Sequence, residues 1–444
     1  MRISLPYGDC ELQFQVDSER CRLIGAYGMT APQDIGFDAA MAVRDALSNP
    51  IGSPRLSQIA AGAGNVVIIS DDATRPTPVS LILPHVLAEL GAAGVAERSI
   101  TVVMANGTHR AMTPEEIRAK LGPGPAARLR VVNHDFRAGD LVDMGTTPSG
   151  VPVMINRIVA QADLVIGIGS IVPHRYCGWS GGAKIVQPGV CGEDTTVATH
   201  LMITHDDGVR LGNVENVVRH EMEAVAARAG LRFIVNVAQD ASGRVAAVVA
   251  GDPVAAHRAG VICAERVCAV HIPKRADVVV AGSFPADMNL WQAGKALYTS
   301  DLAAADGGVI VLVTPAREGI GEHPEFGALI PKSRQTILRM LEAGEISDRL
   351  GAAAALAVRI VADRHTIILV TDGMTPREVR DIGFEHSAGS RLQQAVDRAV
   401  ELSAARIGAQ ARARFEGRRP SLTVLREAPD MLPVIGSGEC NCIG

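Results

Sequence analysis

The sequence predicts an α/β protein of two domains, with parallel or mixed sheets flanked by helices and the active site in the cleft between the domains. Three observations lead there: short β-branched runs too apolar to face water on either side, helical segments between them, and polar, glycine-punctuated clusters directly after several of the runs. The runs are Val66 to Ser70, Ile100 to Met104, Leu129 to Val132, Asp163 to Ile168, Phe233 to Val237, Asp277 to Ala281, Val309 to Val313 and Ile367 to Thr371. Val79 to Leu90 is apolar at helical spacing despite Pro84. Thr113-Pro114-Glu115-Glu116 reads as a cap, a first-turn proline and a glutamate three residues after the cap. Asp252-Pro253 opens a further helix in the same way, and Arg391 to Ile407 is amphipathic near the end.

The natural break falls near His271 to Arg275, before the second series of strands. This gives an N-terminal domain of residues 1–272, a C-terminal domain of 273–420 and a terminal segment of 421–444 whose strand-like Leu422 to Leu425 is expected to return to the first domain. An apolar fraction of 47% and a charged fraction of 20% fit a folded globular enzyme. Lys and Arg total 43 against 48 acidic residues, without a dense basic cluster, which argues against nucleic acid as a partner. The opening MRISLPYGDC lacks a signal-peptide core and no apolar stretch reaches membrane length, so a cytoplasmic protein with no membrane association is expected. Eight scattered cysteines without CxxC spacing read as reduced thiols, and the closing Cys440-Asn441-Cys442 as an incidental tail.

Chemistry collects after the strands. Asp71-Asp72-Ala73-Thr74-Arg75-Pro76 follows the first strong strand, Asn106-Gly107-Thr108-His109-Arg110 the next, and Gly169 to His174 the Asp163 strand; in the second half Asp287 to Lys295 follows the Asp277 strand. Ligands of open α/β sheets bind beyond the carboxyl ends of the strands, so these clusters point to one shared cleft. The densest stretch is His174-Arg175-Tyr176-Cys177-Gly178-Trp179-Ser180-Gly181-Gly182-Ala183-Lys184, with His200 sixteen residues on. Ser-Gly-Gly suits close approach of backbone N–H groups to an anion, and the lysine amine is a potential nucleophile. The spacing is not that of a P-loop.

D-x-T-R-P, G-T-H-R, H-x-x-x-G-x-S-G-G-x-K-x-x-x-P-G, the later histidine and L-W-Q-x-x-K-A run in one order from Asp71 to Ala296. Together they resemble the lactate racemase family, whose members carry a nickel-pincer nucleotide, the pyridinium-3-thioamide-5-thiocarboxylic acid mononucleotide with nickel. The resemblance implies a racemase or epimerase that inverts C2 of a 2-hydroxy acid by proton-coupled hydride transfer, through a 2-keto acid. It implies Lys184 as the covalent cofactor attachment, His200 as the nickel ligand, and His109 and His174 as the paired acid/base groups. It further implies Arg75, Gln292 and Lys295 as substrate contacts, and proteins that build and load the cofactor as partners. Asp72, Thr74, Ser180, Gly181 and Gly182 are candidates for the nucleotide's ribose or phosphate, with turn formation an equal reading. The substrate range left open runs from lactate and malate to aromatic and sugar acids.

Bland readings accompany the lesser candidates. His134 and His205 beside Asp206-Asp207 read as second-shell or surface histidines more readily than as a second metal site. Cys177 and Cys191 read equally as small buried hydrophobes or as neighbours of the nickel, and Trp179 and Trp291 as packing or pocket wall. Two rival functions are an oxidoreductase with a dissociable nicotinamide, for which no G-x-G-x-x-G follows a strand, and a non-catalytic pincer-nucleotide carrier, which would not need both histidines.

Overall fold

The computed structural model describes residues 1–28, 37–204, 208–240, 243–414 and 418–436. His205, Asp206, Asp207, Cys440 and Cys442 lie outside the described residues. The chain divides into two compact units, one formed by Ala31–Val267 and the other by Met1–Thr30 together with Cys268–Gly444.

The Ala31–Val267 unit is built on a six-stranded sheet in the order Val245–Gly251, Leu231–Gln239, Leu164–Ser170, Val66–Asp71, Ile100–Ala105, Arg130–Asn133. Every neighbouring pair is parallel except the first, where Val245–Gly251 runs against Leu231–Gln239. Val66–Asp71 and Leu164–Ser170 are buried along their whole length, as central strands covered on both faces must be. Their side chains join those of Val79–Ala92, the helix that carries Pro84, in one core with Val43, Leu47 and Phe233. The helix expected after Thr113 spans Pro114–Leu121 and has its capping box: Glu116 N–H donates to Thr113 Oγ1 (3.2 Å) and Thr113 N–H to Glu116 Oε2 (2.8 Å). Asp252 likewise accepts from the backbone N–H groups of Val254 and Ala255, where the Ala255–Cys268 helix begins.

The other unit holds a second six-stranded sheet, in the order Glu385–Ser387, Thr366–Val370, Ala304–Val313, Ala276–Gly282, Ser421–Leu425, Arg22–Tyr27, all parallel. Here the structure departs from the expected boundaries. Residues 1–28 pack with this unit, and Ser421–Leu425, expected to return to the first domain, lies between Ala276–Gly282 and Arg22–Tyr27. The reason is edge completion: Ser421–Leu425 is fully buried and needs a partner on each side, which Ala276–Gly282 supplies on one and the sequence-distant Arg22–Tyr27 on the other. Ile3, Leu5, Tyr7 and Phe14 of the opening hairpin enter the same core as Val278, Val311 and Ile368.

Candidate active site

The Ala31–Val267 unit gathers most of the candidate residues at the carboxyl ends of its parallel strands. The chain leaving Val66–Asp71 turns through Asp72 to Thr77, and the chain leaving Ile100–Ala105 turns through Asn106 to His109. Asp72 joins the two turns. Its Oδ2 lies 2.7 Å from His109 Nδ1, and its Oδ1 accepts from Thr74 Oγ1 (2.6 Å) and Thr74 N–H (3.1 Å). Burial alone would raise the Asp72 carboxyl, but the His109 and Thr74 hydrogen bonds, with help from the Arg75 charge, hold it well below the usual carboxylate range. An ionised Asp72 accepts, so His109 donates from Nδ1 and its Nε2 is the basic nitrogen. Both Asp72 oxygens are therefore engaged within the protein. Beneath this turn the nearly buried Lys120 ammonium sits 2.8 Å from Asp71 Oδ1 and donates to the Arg75 carbonyl at 2.7 Å, while Thr77 donates to Asp71 Oδ2. The Arg75 guanidinium bends back to the Thr74 carbonyl and hydroxyl, both at 3.2 Å, and makes no ion pair among the described residues. Its fork is open to a carboxylate.

Past Leu164–Ser170, the short strands Pro173–His174 and Gly178–Trp179 pair antiparallel, and Ser180-Gly181-Gly182 leads into a 3₁₀ turn with Lys184. The loop is held from inside the protein. Ser180 Oγ accepts from Val172 N–H (2.9 Å) and donates to the Ser170 carbonyl (2.8 Å), Gly182 N–H donates to Asn236 Oδ1 (2.7 Å), and His257 donates to the Ser180 carbonyl (2.8 Å). The glycines have packing reasons: a Cβ on Gly182 would stand 2.8 Å from the His257 ring, and Gly181 and Gly182 adopt φ of 75° and 57°. Ser180 and the Gly182 N–H thus serve the loop's own architecture. Fully buried Arg219 lies against the same loop and donates to the carbonyls of Gly181 (3.2 Å), Cys177 (3.4 Å) and Trp179.

Lys184 rests on this scaffold. No hydrogen bond or ion pair of its ammonium is found among the described residues; burial, with the like charges of Arg75 and Arg219, lowers it from 10.5 to about 8, against a smaller opposite pull from Cys177 and Asp72. A lysine so placed is a far better nucleophile near neutral pH than an exposed one. His200, in the last turn of the Glu193–Leu201 helix, donates Nδ1–H to the Thr196 carbonyl (2.8 Å), which leaves Nε2 with its lone pair. Burial and the Lys184 charge push His200 down to about 4, so the ring is neutral and ready to bind a metal. Backbone-anchored Nδ1 with a bare Nε2 is the usual posture of a metal-bound imidazole. The described residues contain no group of three or more metal-binding side chains, so a metal on His200 would draw its other donors from a bound ligand. This chemistry fits a covalently tethered, metal-carrying cofactor.

Electrostatics and ring contacts tie these groups together. Lys184 feels Arg75, Asp72 and Cys177; His200 feels Lys184; and the Tyr176 ring stands 4.3 Å from His200 and 5.9 Å from His174. His109, His174, Lys184, His200, Asp72, Thr74 and Arg75 accordingly form one cluster. Gln292 and Lys295 belong to the other unit, on the Leu290–Ala303 helix, where Lys295 Nζ donates to Gln292 Oε1 at 2.7 Å.

The lesser candidates take structural roles. His134 uses both ring nitrogens, toward the Cys191 carbonyl (2.9 Å) and Asn156 (3.3 Å). Cys191 is fully buried and donates to the Val186 carbonyl; burial pushes its thiol up, away from metal-binding thiolate character. Trp179 is 1% exposed and bonds the Gly212 carbonyl, while Trp291 stacks on His323 at 4.0 Å. Sequence reasoning missed Arg219, Lys120, Asn236, His257 and Thr196. For Arg219 a signal existed, since it falls on the apolar stripe with Val218, Met222 and Val225 of the Val217–Arg228 helix.

A family model described as the lactate racemase N-terminal domain matches residues 7–212, and one described as the lactate racemase C-terminal domain matches 272–411. The lactate racemase of Thermoanaerobacterium thermosaccharolyticum is 31% identical over 393 residues, 86% of this chain and 90% of its own length. That of Lactiplantibacillus plantarum is 30% identical over 442 residues, 98% and 99% of the two chains. The structure of the lactate racemase apoprotein from T. thermosaccharolyticum matches with a TM-score of 0.84 at 28% identity, covering 98% of this chain and all of that one. A Thermotoga maritima crystal structure, with a TM-score of 0.67 at 19% identity over 89% of this chain and 98% of its own, shares the fold. With both domains matched across most of its length, the chain belongs to the lactate racemase family of isomerases.

Proposed function

We propose that this chain is a racemase or epimerase of 2-hydroxy acids, inverting C2 by way of a 2-keto acid. What supports the reading is the Lys184 ammonium, without a hydrogen bond or ion pair among the described residues, near a His200 whose Nδ1 is anchored on the Thr196 carbonyl (2.8 Å) and whose Nε2 keeps its lone pair; burial lowers both groups. A nickel-pincer nucleotide tethered to Lys184 and ligated by His200 would supply a hydride acceptor and donor. Arg75 holds the substrate carboxylate as a two-pronged donor, with Gln292 and Lys295 as further substrate contacts. His109 Nε2 takes the hydroxyl proton of one enantiomer, and Asp72 offsets the positive charge that forms on the ring. His174 plays the same part for the other enantiomer. In one inversion the first ring keeps the hydroxyl proton it takes, and the second, entering the turnover protonated, gives its own proton to the keto oxygen as C2 is reduced on the opposite face; the reverse inversion or exchange with solvent restores both rings.

The test is to express the chain together with cofactor-building proteins and measure intact mass, nickel content and the interconversion of lactate and bulkier 2-hydroxy acids by chiral chromatography. The wild type should carry an added mass on the Lys184 peptide and racemise at least one acid; Lys184→Ala should lose the added mass, and His200→Ala should lose nickel. An unmodified, inactive wild-type chain, under conditions that load a lactate racemase control, would refute the proposal.

A further inference from the structure

Three imidazoles of the site share a feature of their surroundings. His109 Nδ1 meets the Asp72 carboxylate at 2.7 Å, His200 Nδ1 meets the Thr196 carbonyl at 2.8 Å, and His174 Nδ1 meets Cys177 Sγ at 3.3 Å. The first two acceptors fix a tautomer outright. The third is a thiol, which can donate or accept, so its hydrogen has to be located. Cys177 Sγ also lies 3.1 Å from the Trp179 carbonyl oxygen. A sulfur that close to a carbonyl oxygen with no hydrogen between them would oppose lone pair to lone pair, so the single thiol proton points at Trp179. That carbonyl accepts from Arg219 as well, within its capacity of two. Sulfur therefore turns a lone pair toward His174, and the hydrogen on that contact belongs to Nδ1.

We propose that Cys177 is a positioning residue that locks His174 in the Nδ1–H tautomer, making Nε2 the nitrogen that exchanges the substrate proton. The proposal deepens the racemase reading and rests on it for the role of Nε2. The surrounding structure keeps the lock in place. His174 pairs with Gly178 across the short hairpin, Cys177 is fully buried, and a Cβ on Gly178 would stand 1.9 Å from the Asn213 carbonyl oxygen, so the turn has little room to shift.

The experiment uses the full chain without cofactor, labelled with ¹⁵N-histidine, at about two pH units above the ordinary imidazole value of ~6.5. Long-range ¹H–¹⁵N correlation reads the tautomer, with the His174 signals assigned by their loss in His174→Gln. Wild type and Cys177→Ser should carry the proton on Nδ1, because the serine hydroxyl keeps an acceptor there; Cys177→Ala should move it to Nε2. In the loaded enzyme Cys177→Ala should lower kcat about tenfold, the worth of one hydrogen bond, with KM, nickel and the Lys184 adduct little changed, and Cys177→Ser should restore most of the rate. A wild-type His174 protonated on Nε2, or a Cys177→Ala chain with unaltered tautomer and rate, would overturn the proposal. A tautomer that shifts as expected in a chain that racemises nothing would instead sink the racemase reading and the role given to Nε2.

Discussion

The turn around Asp72 and the loop around Lys184 lie side by side in one cluster, yet they handle charge in opposite ways. On the first, the basic groups other than Arg75 meet carboxylates: Asp72 backs His109, Asp71 pairs with Lys120, and Glu116 grips Arg110 at 2.6 and 2.9 Å. On the second, the cations rest on neutral atoms. Arg219 donates to three loop carbonyls, His174 is backed by a thiol, and neither Arg219 nor Lys184 makes an ion pair among the described residues. Opposite charge favours the ionised form of a buried group, whereas uncompensated positive charge lowers a neighbouring amine and attracts anions. The contrast assigns charge stabilisation to the His109 side, which also presents the open Arg75 fork, and tautomer control to the Lys184 side.

The largest effect should come from the rings themselves. His109→Ala and His174→Ala should each lower kcat by roughly 10²- to 10⁴-fold while leaving the Lys184 adduct and nickel in place. The equilibrium between enantiomers fixes the ratio of forward and reverse kcat/KM, so each variant must fall equally in both directions. Either variant retaining more than about a tenth of the wild-type rate would remove that ring from the chemistry.

Asp72→Asn comes next, with an expected loss of roughly ten- to a hundredfold in kcat, because the amide keeps the shape and removes the charge behind His109. This loss should exceed that of Cys177→Ala, whose sulfur orients its ring without offsetting charge. If steady-state kinetics ranked the two variants the other way, charge would not distinguish the two sides.

Most of this architecture was legible because burial on both faces leaves a local trace. The runs from Val66 to Asp277 mark strands of both sheets, and the clusters placed after them stand at the carboxyl ends of the strands. Pairing leaves no such trace: nothing local to Arg22–Tyr27 announces Ser421–Leu425 as its neighbour. The same limit governs the site. Residue types located the histidines and Lys184, but a pattern reports that a group is present, not what its second atom touches. The pattern offers Asp72 and Ser180 as nucleotide contacts or turn formers alike, and nothing in it announces that the Asp72 oxygens bond His109 and Thr74 or that the Ser180 hydroxyl bridges Val172 and Ser170. Arg219 escaped notice because a charged residue on a helix is ordinarily solvated, whereas here it closes off loop carbonyls.

The smallest effect tests whether the His109 side depends on its flanking helix or on Asp72 alone. Thr113 caps the Pro114–Leu121 helix, and Glu116 in the same box holds Arg110, the residue after His109. Thr113→Ala should cost about 1 kcal/mol of stability, read as a lower urea midpoint at constant m-value. Hydrogen bonds from Arg110 first, then from the Thr113 N–H, hold the Glu116 carboxyl down from 4.5 to about 2. A depressed folded value means that this grip is present above 4.5 and fades as pH falls toward 2, so the Arg110 tether stays intact at neutral pH in the variant. With Asp72 still bonded to the ring, kcat should therefore stay within about twofold of wild type. A rate loss as large as that of Asp72→Asn would mean that the helix cap, not the carboxylate, sets the position of His109, and the charge-matched side would then be no more than a well-anchored turn.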